Sequence, residues 1–353
     1  MPNPYIHVVT RFYKRNRVWS FFILAAFVFQ TGCRFSGVDG EKVSAVTSQE
    51  PDSTEIQEDI RRELTAGDIR LTKDLQFTKY TLEDVYPYKD TTRVFQWEKI
   101  KERIARIENA VADGGSWGVL SNYKNQNGEA PTIKDFLRDE YKRVTDKYGV
   151  ERYQSSPLYS TDEDTVLLRY GRDGWLVKLL ESDTLKMIKV KGVSVDGEFI
   201  VPKRYIVSWG DTIRFDRLVV VDVTNQNIAT LEKRDSVWAV LSMNPATTGR
   251  HKPPYAQETP KGIFAVQKKK EKMLYEKDGS TEIAGFAPYA SRFTNGAYVH
   301  GVPTENPEGS IIEYSASLGT TPRSHMCVRN ASSHAKFVFD WATVKRSLTV
   351  VID

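Results

Sequence analysis

The sequence predicts a mainly β protein, with a small barrel in the middle of the chain and a helical segment before it. Strand-sized runs separated by Gly- and Asp-bearing turns occupy residues 153–207. A second group of strands opens with the β-branched run at 218–223 and continues to the end of the chain. Ahead of both, apolar residues recur at three- and four-residue spacings, as in a helix. The 353 residues leave room for two or three domains.

The N-terminus predicts export. Four basic residues between positions 11 and 17 precede an uncharged, mostly apolar run at 18–29. This run is shorter than the roughly 20 residues that span a membrane, and it has the length of a signal-peptide core. A polar, acidic stretch follows, with few large apolar residues. We therefore expect residues 1–33 to be a signal and residues 34–59 a flexible tether.

Thr31-Gly32-Cys33 closes the predicted signal. Small residues before a cysteine at this place resemble a bacterial lipoprotein signal, in which the cysteine is lipidated and becomes the first mature residue. The resemblance implies lipidation of Cys33 and a periplasmic location in the cell envelope, with a lipid anchor in the membrane. Ordinary signal cleavage and retention as a short uncleaved anchor are the alternatives.

Residues 60–150 are predicted to be mainly helical. One apolar stripe ends at Gly114-Gly115, and a second stripe follows Pro131. The region is interpreted as a helical hairpin packed on the next domain, or as a spacer. The two stripes consist of Trp97, Ile100, Ile104, Ile107 and Val111, and of Leu137, Tyr141, Val144 and Tyr148.

Residues 151–213 form the predicted barrel, which resembles the bacterial type of Src-homology-3-like barrel. The resemblance rests on the runs at 174–178, 197–200 and 202–206. In that family such barrels often bind cell-wall peptide or pack beside a catalytic domain. Trp175 is expected either in a binding groove or in the core of the barrel.

Residues 214–353 form the last predicted domain. Strands are expected at 218–223, 228–231, 237–242, 298–300 and 347–352, and a turn leads into another strand at 259–264. The domain contains no glycine-rich phosphate loop and no CxxC or HExxH pattern. We therefore expect neither a metal nor an organic cofactor.

Charge is nearly balanced along the chain. The formal net charge of +4 gives no sign of a nucleic-acid binder, which would carry a strongly basic face. Lys268-Lys269-Lys270 is a short basic run. It is interpreted as a solvated edge, with attraction to anionic wall polymers as the alternative.

Cys327 is the candidate nucleophile. If Cys33 carries a lipid, Cys327 has no disulfide partner, because the chain contains two cysteines. His325 and Arg329 flank it and would lower the pKa of its thiol from about 8.5. The alternative is a buried, inert thiol.

The last domain resembles the YkuD-type L,D-transpeptidases of bacterial cell walls, over about residues 216–353. Their signature is a His-Gly pair, a spacer, and Ser/Thr-His-Gly-Cys followed by an apolar residue and Arg or Asn. His300-Gly301 and the segment 324–329 match it. The turn at 259–264 also resembles the family's Thr-Pro-x-Gly-x-Phe segment.

The resemblance implies roles for these residues. Cys327 would be the nucleophile, His300 the general base, and the carbonyl of Gly301 would orient the His300 ring. Ser324 and His325 would shape the catalytic loop.

Other roles are expected of the rest of the loop. The backbone near Met326 and Cys327 would form the oxyanion hole. Arg329 would hold a substrate carboxylate or brace the loop, and His325 is an alternative base. His251 and His334 are expected to be loop or surface histidines without a catalytic role.

One residue departs from the signature, since Met326 occupies the position of the family's glycine. Glycine adopts left-handed backbone conformations that methionine adopts only at a cost. Either the position does not need that conformation, or the oxyanion loop is altered. The long interval between His300 and Ser324 also predicts an extra loop over the cleft.

The implied activity is the formation of 3-3 cross-links in peptidoglycan, which builds the cell wall and maintains cell shape. Its substrates would be a donor and an acceptor stem peptide, and β-lactams such as carbapenems would acylate Cys327. The enzymatic alternatives are an L,D-carboxypeptidase and a protein-anchoring enzyme. A non-catalytic, wall-binding lipoprotein is the alternative from a different class.

Overall fold

In the part of the chain that the structure describes, three large β-sheets, two β-hairpins and two α-helices form the body of the protein. The computed structural model describes residues 61–182 and 184–353. The predicted signal, Cys33 and the tether lie outside the described residues. The first part of the described chain contains β1 (Arg70–Lys73), β2 (Val85–Tyr88), β3 (Thr91–Val94), α1 (Trp97–Ala112), β4 (Ser116–Leu120), β5 (Leu137–Arg138) and β6 (Val144–Thr145).

The predicted helix at 97–111 is confirmed as α1. Ile100, Ile104 and Ile107 are buried on its apolar stripe. The chain leaves the helix through Gly114, whose φ of +66° suits the residue after a helix end. The stripe packs on the six-stranded sheet described below and forms one of the two main cores with it.

The second predicted helix is wrong, and residues 60–150 are not mainly helical. The segment after Pro131 folds into the β5–β6 hairpin and turns. Asp139 accepts hydrogen bonds from the backbone N–H of Tyr141 and Arg143, and Asp146 accepts others from the backbone that follows it. Aspartate side chains that bind nearby N–H groups favour turns over helix.

A seven-stranded antiparallel sheet occupies the middle of the chain. Its order is β12-β4-β9-β10-β11-β7-β8, so that β4 joins it from outside the predicted boundaries of 151–213. The predicted strands are present, while the closed barrel stays a prediction. The new strands are β7 (Ser155–Tyr159), β8 (Leu167–Arg172), β9 (Leu176–Leu179), β10 (Met187–Gly192), β11 (Glu198–Pro202) and β12 (Ile206–Gly210).

The strands predicted for the last domain are confirmed. They belong to a six-stranded sheet of order β1-β15-β14-β13-β21-β16 and a four-stranded sheet of order β17-β18-β19-β20. The elements are β13 (Arg217–Asp222), β14 (Asn227–Arg234), β15 (Val237–Pro245), β16 (Gly262–Ala265), β17 (Lys268–Glu276), β18 (Ile283–Thr294), β19 (Ala297–His300), β20 (Val328–Arg329), α2 (Ser332–Trp341) and β21 (Ser347–Ile352).

Both faces of the six-stranded sheet are buried, which explains the continuous β-branched run of β13. Leu218 and Val220 pack in the core with α1, whereas Val219 and Val221 pack in the other main core. That second core also contains Val299 and residues of the seven-stranded sheet. The four-stranded sheet, which carries the candidate site, therefore rests on a core shared with the middle of the chain.

Candidate active site

Strand pairing brings the candidate base and nucleophile together. In the parallel pair β19–β20, Val299 lies opposite Val328 and His300 opposite Arg329. Because side chains alternate between the faces of a strand, His300 and Arg329 share one face with Cys327, which lies just before β20. His300 and Cys327 also line the same cavity, which has a volume of about 600 Å³.

The segment between the two signature halves borders this cavity, as the predicted extra loop requires. Glu305, Ser315, Ser317 and Leu318 contribute to its wall. Tyr275 of β17 also contributes to the wall. The cavity therefore has polar and apolar walls within reach of both candidate catalytic residues.

His300 is held in one tautomer. Its Nδ1 lies 2.6 Å from the carbonyl oxygen of Gly301, and because a carbonyl only accepts, Nδ1–H is the donor. This leaves the lone pair of Nε2 free to take a proton. Burial, and then the charge of Arg329, lower the pKa of His300 to about 4. The ring is therefore neutral near pH 7, with the geometry that the resemblance implied for Gly301.

Cys327 is a protonated thiol near neutral pH. Burial raises its pKa to about 11, although the Tyr298 backbone N–H and Arg329 act in the opposite direction. The expectation of a lowered thiol pKa is wrong in its net direction, since removal of the thiol from water outweighs the lowering by Arg329. The Sγ–H donates to the carbonyl of Gly296 at 3.6 Å. A nearby base must remove the proton before or during attack.

The catalytic loop is tied to the segment 247–259. Ser324 N–H donates to the carbonyl of Thr248, and its own carbonyl accepts from Arg250 N–H at 3.0 Å. The Ser324 hydroxyl donates to the carbonyl of Cys327. These bonds bend the chain into a turn around the nucleophile, which agrees with the shaping role expected of Ser324.

Met326 keeps the backbone conformation of a glycine. Its φ is +80°, in the left-handed region. Its carbonyl accepts a 2.8 Å hydrogen bond from the hydroxyl of Thr259, which in turn accepts from Gly249 N–H. A Cβ on Gly249 would lie 2.7 Å from the Met326 Cα. The loop thus needs the left-handed conformation, and its contacts impose it on a methionine.

The two remaining candidate residues of the loop are Arg329 and His325. Arg329 lines the cavity, and its buried Nε has no hydrogen-bond partner among the described residues. His325 is exposed, and its Nδ1 lies 3.4 Å from the Asp278 carboxylate. His325 also lines the cavity, and His300 differs from it in being buried and bound to the carbonyl of Gly301.

Two histidines do not reach the site. His251 is exposed and contacts Glu258. His334 was expected at the surface, but it is fully buried on α2, where Ser242 and Asn330 bond its ring nitrogens. Burial lowers its pKa to about 3, so this histidine is a neutral part of the core.

Sequence reasoning missed the structural role of Thr259 and Gly249. The Thr-Pro-x-Gly-x-Phe resemblance marked Thr259, but only the fold shows its hydroxyl beneath the catalytic loop. Gly249 belongs to no motif that we identified. The available signal for Gly249 was a glycine directly before Arg250 and His251 in a strand-rich segment.

No cluster of three His, Cys, Asp or Glu side chains in 61–182 and 184–353 could hold a metal ion. In the same ranges, no helix is long and apolar enough to cross a membrane.

Comparison with protein families supports the reading of the last domain. Residues 216–352 match the model of the YkuD family, described as the L,D-transpeptidase catalytic domain. The match contains His300, Cys327 and the whole catalytic loop. No curated protein matches the chain.

Several solved structures are distantly similar. An L,D-transpeptidase from Mycobacterium smegmatis is 20% identical over 50% of this chain and 82% of its own, with a TM-score of 0.33. An L,D-transpeptidase in complex with imipenem is 19% identical over 56% and 78%, with a TM-score of 0.31.

A fused Zn-dependent amidase/peptidase/peptidoglycan-binding domain-containing protein from Clostridium acetobutylicum is 17% identical over 39% of this chain, with a TM-score of 0.28. The alignment spans 52% of that protein, or about half its length. No mechanistic argument rests on similarities this distant, and the family match carries the assignment of residues 216–352.

Proposed function

We propose that this protein is a peptidoglycan L,D-transpeptidase that uses Cys327 as its nucleophile and forms 3-3 cross-links. The observation that carries the proposal lies inside the family-matching segment. There, a neutral imidazole with a free Nε2 and a cysteine line one cavity of about 600 Å³. A neutral imidazole and a thiol that face one cavity could react as a general base and a nucleophile.

The first half-reaction forms a thioester. His300 Nε2 takes the Cys327 proton as Sγ attacks the carbonyl carbon between the third and fourth residues of the donor stem. The C–N bond breaks, and His300 returns the proton to the amine of the leaving D-Ala. Backbone N–H groups of the loop at Met326 and Cys327 would stabilise the oxyanion.

The second half-reaction resolves the thioester. The side-chain amine of the third residue of an acceptor stem attacks the same carbonyl carbon. A C–N bond forms, the C–S bond breaks, and the amine proton returns through His300 to the thiolate. No metal or organic cofactor takes part in this scheme.

Arg329 is proposed to hold a carboxylate of the donor. Its guanidinium lines the cavity and forms no salt bridge within the described part of the chain. A guanidinium without a salt-bridge partner in the protein can bind a carboxylate through two hydrogen bonds. If Arg329 instead braced the loop, its N–H groups would donate hydrogen bonds to protein acceptors.

Location and inhibition complete the proposal. We propose export to the periplasm and lipidation of Cys33, which mass spectrometry of the mature N-terminus tests. We also propose that β-lactams acylate Cys327, as expected of a nucleophile in an L,D-transpeptidase catalytic domain. A mature N-terminus without a diacylglyceryl group would refute the lipid anchor and leave the reaction untouched.

The central experiment compares the purified protein with Cys327→Ala. We expect a stoichiometric carbapenem adduct and a 3-3 cross-linked dimer with the unaltered protein only. Equal adduct and product formation by the two proteins would contradict the proposal. Release of D-Ala without dimer would instead identify a carboxypeptidase. Binding to peptidoglycan without an adduct would favour the wall-binding lipoprotein.

A further inference from the structure

The basic run Lys268-Lys269-Lys270 lies close to the nucleophile in the fold. It opens β17, and Lys268 pairs with Arg292, which in turn pairs with Tyr298 of β19. Tyr298 precedes Val299, which lies opposite Val328 of β20. Because Cys327 directly precedes Val328, the row of neighbouring residues that starts at Lys268 leads across the sheet to Cys327. Lys270 points the same way, with its Nζ 5.8 Å from the centre of the Tyr298 ring.

A loop of the middle sheet supplies the other side of this region. Tyr123 lies 4.6 Å from the Arg292 guanidinium and, together with burial, raises the pKa of Tyr298 to about 12. Lys124 Nζ lies 5.7 Å from the Tyr123 ring. Lys124 has a φ of +54°, in the left-handed region, and its backbone N–H donates to the side-chain carbonyl of Gln154.

The region carries uncompensated positive charge. Arg292 is neutralised by Asp173 at 2.6 Å. Lys124, Lys268 and Lys270, in contrast, form no salt bridge with any described residue. Burial, and then Lys268, Lys124 and Arg292, lower the pKa of Lys270, so the charged groups that act on it are all cations. We name the three unpaired residues, Lys124, Lys268 and Lys270, the lysine cluster.

This side of the nucleophile is distinct from the cavity already described. No member of the lysine cluster lines that cavity. The Cys327 thiol donates to the carbonyl of Gly296, which is exposed and has no atom within 4 Å of the position of an added Cβ. The buried thiol thus donates to an exposed residue of the β18–β19 turn, which is not among the residues that line the cavity.

We infer that the lysine cluster binds a carboxylate of the acceptor peptide, the amine-bearing second substrate, and thereby guides its amine to the thioester. The inference rests on the proposed function. Cations attract a carboxylate and disfavour an ammonium ion, so they also favour the neutral amine that attacks. The middle sheet would then contribute to catalysis through Lys124, and not only to packing.

The test separates the two half-reactions in the full-length mature protein. Thioester formation is followed as D-Ala release from a donor tetrapeptide, and transfer as dimer formation with increasing acceptor tripeptide. The acceptor is used with free carboxylates and as its amide. The variants are Lys124→Gln, Lys268→Gln and Lys270→Gln. The matched control is Lys269→Gln, because Lys269 lies over Phe339, away from the cluster.

For each cluster variant we expect D-Ala release in the absence of acceptor within about two-fold of the unaltered protein. We expect the KM for the free-carboxylate acceptor to rise by about two- to five-fold, as for loss of a partly exposed ion pair. The amide acceptor should show no such rise, and the control should behave as the unaltered protein.

An unchanged KM in all three variants would overturn the inference, as would an equal rise in Lys269→Gln or with the amide acceptor. In those cases D-Ala release stays intact and the proposed function stands. Failure of the unaltered protein to release D-Ala would instead overturn the proposed function and the inference with it.

Discussion

The left-handed conformation of Met326 gives a quantitative prediction about stability. An L-residue in this region costs about 1–2 kcal/mol relative to the right-handed one. Glycine avoids this cost but loses about 0.5–1 kcal/mol through the entropy of the unfolded chain. Met326→Gly and Met326→Ala both remove the partly buried side chain. Their difference therefore isolates the backbone, and Gly should be more stable than Ala by about 0.5–1 kcal/mol.

The control is a position where the order is reversed. Glu102 is an exposed residue inside α1. There, Glu102→Gly should be less stable than Glu102→Ala by about 1 kcal/mol. Urea unfolding followed by tryptophan fluorescence measures both pairs, with the free energy of unfolding compared through the transition midpoints at a common slope.

The result that refutes the reasoning is an Ala variant at 326 that equals or exceeds the Gly variant, while the Glu102 pair behaves normally. It would mean that residue 326 is not held at positive φ in solution. Carbapenem acylation of the same variants connects stability to function. Because Gly fits the present loop geometry, Met326→Gly should retain the acylation rate.

Three further predictions concern the support of the site. Gly249→Ala places a Cβ 2.4 Å from the Gln257 carbonyl oxygen and 2.7 Å from the Met326 Cα, so carbapenem acylation should slow by about 100-fold in a protein that still melts cooperatively. Folding lowers the pKa of His300 from 6.5 to about 4; the unfolded chain therefore binds more protons between these values. The contribution of His300 to the free energy of unfolding is complete above pH 6.5 and falls by about 3 kcal/mol as the pH drops through 4. The urea midpoint of His300→Asn should therefore fall less steeply with decreasing pH than that of the unaltered protein. Asp173→Asn leaves the buried Arg292 guanidinium without its carboxylate partner and should lower the free energy of unfolding by about 3–5 kcal/mol. Adding Arg292→Met to the same chain should partly restore it. A stability difference between His300→Asn and the unaltered protein that does not change with pH would contradict the second prediction. The third would be contradicted if Arg292→Met restored no stability to Asp173→Asn.

The sequence predicted elements whose pattern is set by burial. The stripe that became α1 and the strands of the last domain follow simple periods of apolar residues, and the fold contains them. The β5–β6 hairpin was missed for a local reason. Its apolar spacing imitates a helix, yet Leu137 and Tyr141 are exposed, and the side chains of Asp139 and Asp146 take the backbone N–H groups that a helix would use.

The candidate site was predictable in its members and not in its electrostatics. The signature identified His300 and Cys327, but the direction of the thiol pKa depends on burial, which neighbouring residues in the sequence do not reveal. The position of Lys270 beside Tyr298 depends on the register of three strands. Register arises from long-range pairing, so the basic run looked like an ordinary solvated edge.

The two shifted pKa values together determine how the site must react. With Cys327 near 11 and His300 near 4, transfer of the proton between them is unfavourable while the site is unoccupied. A stable thiolate–imidazolium pair is thus not the resting state. In the proposed reaction, proton transfer becomes favourable only as the S–C bond forms and negative charge moves from sulfur to an oxyanion held by the loop. Under that proposal, reactivity depends on the geometry of residues 326 and 327, which the contacts from Gly249 and Thr259 hold in place.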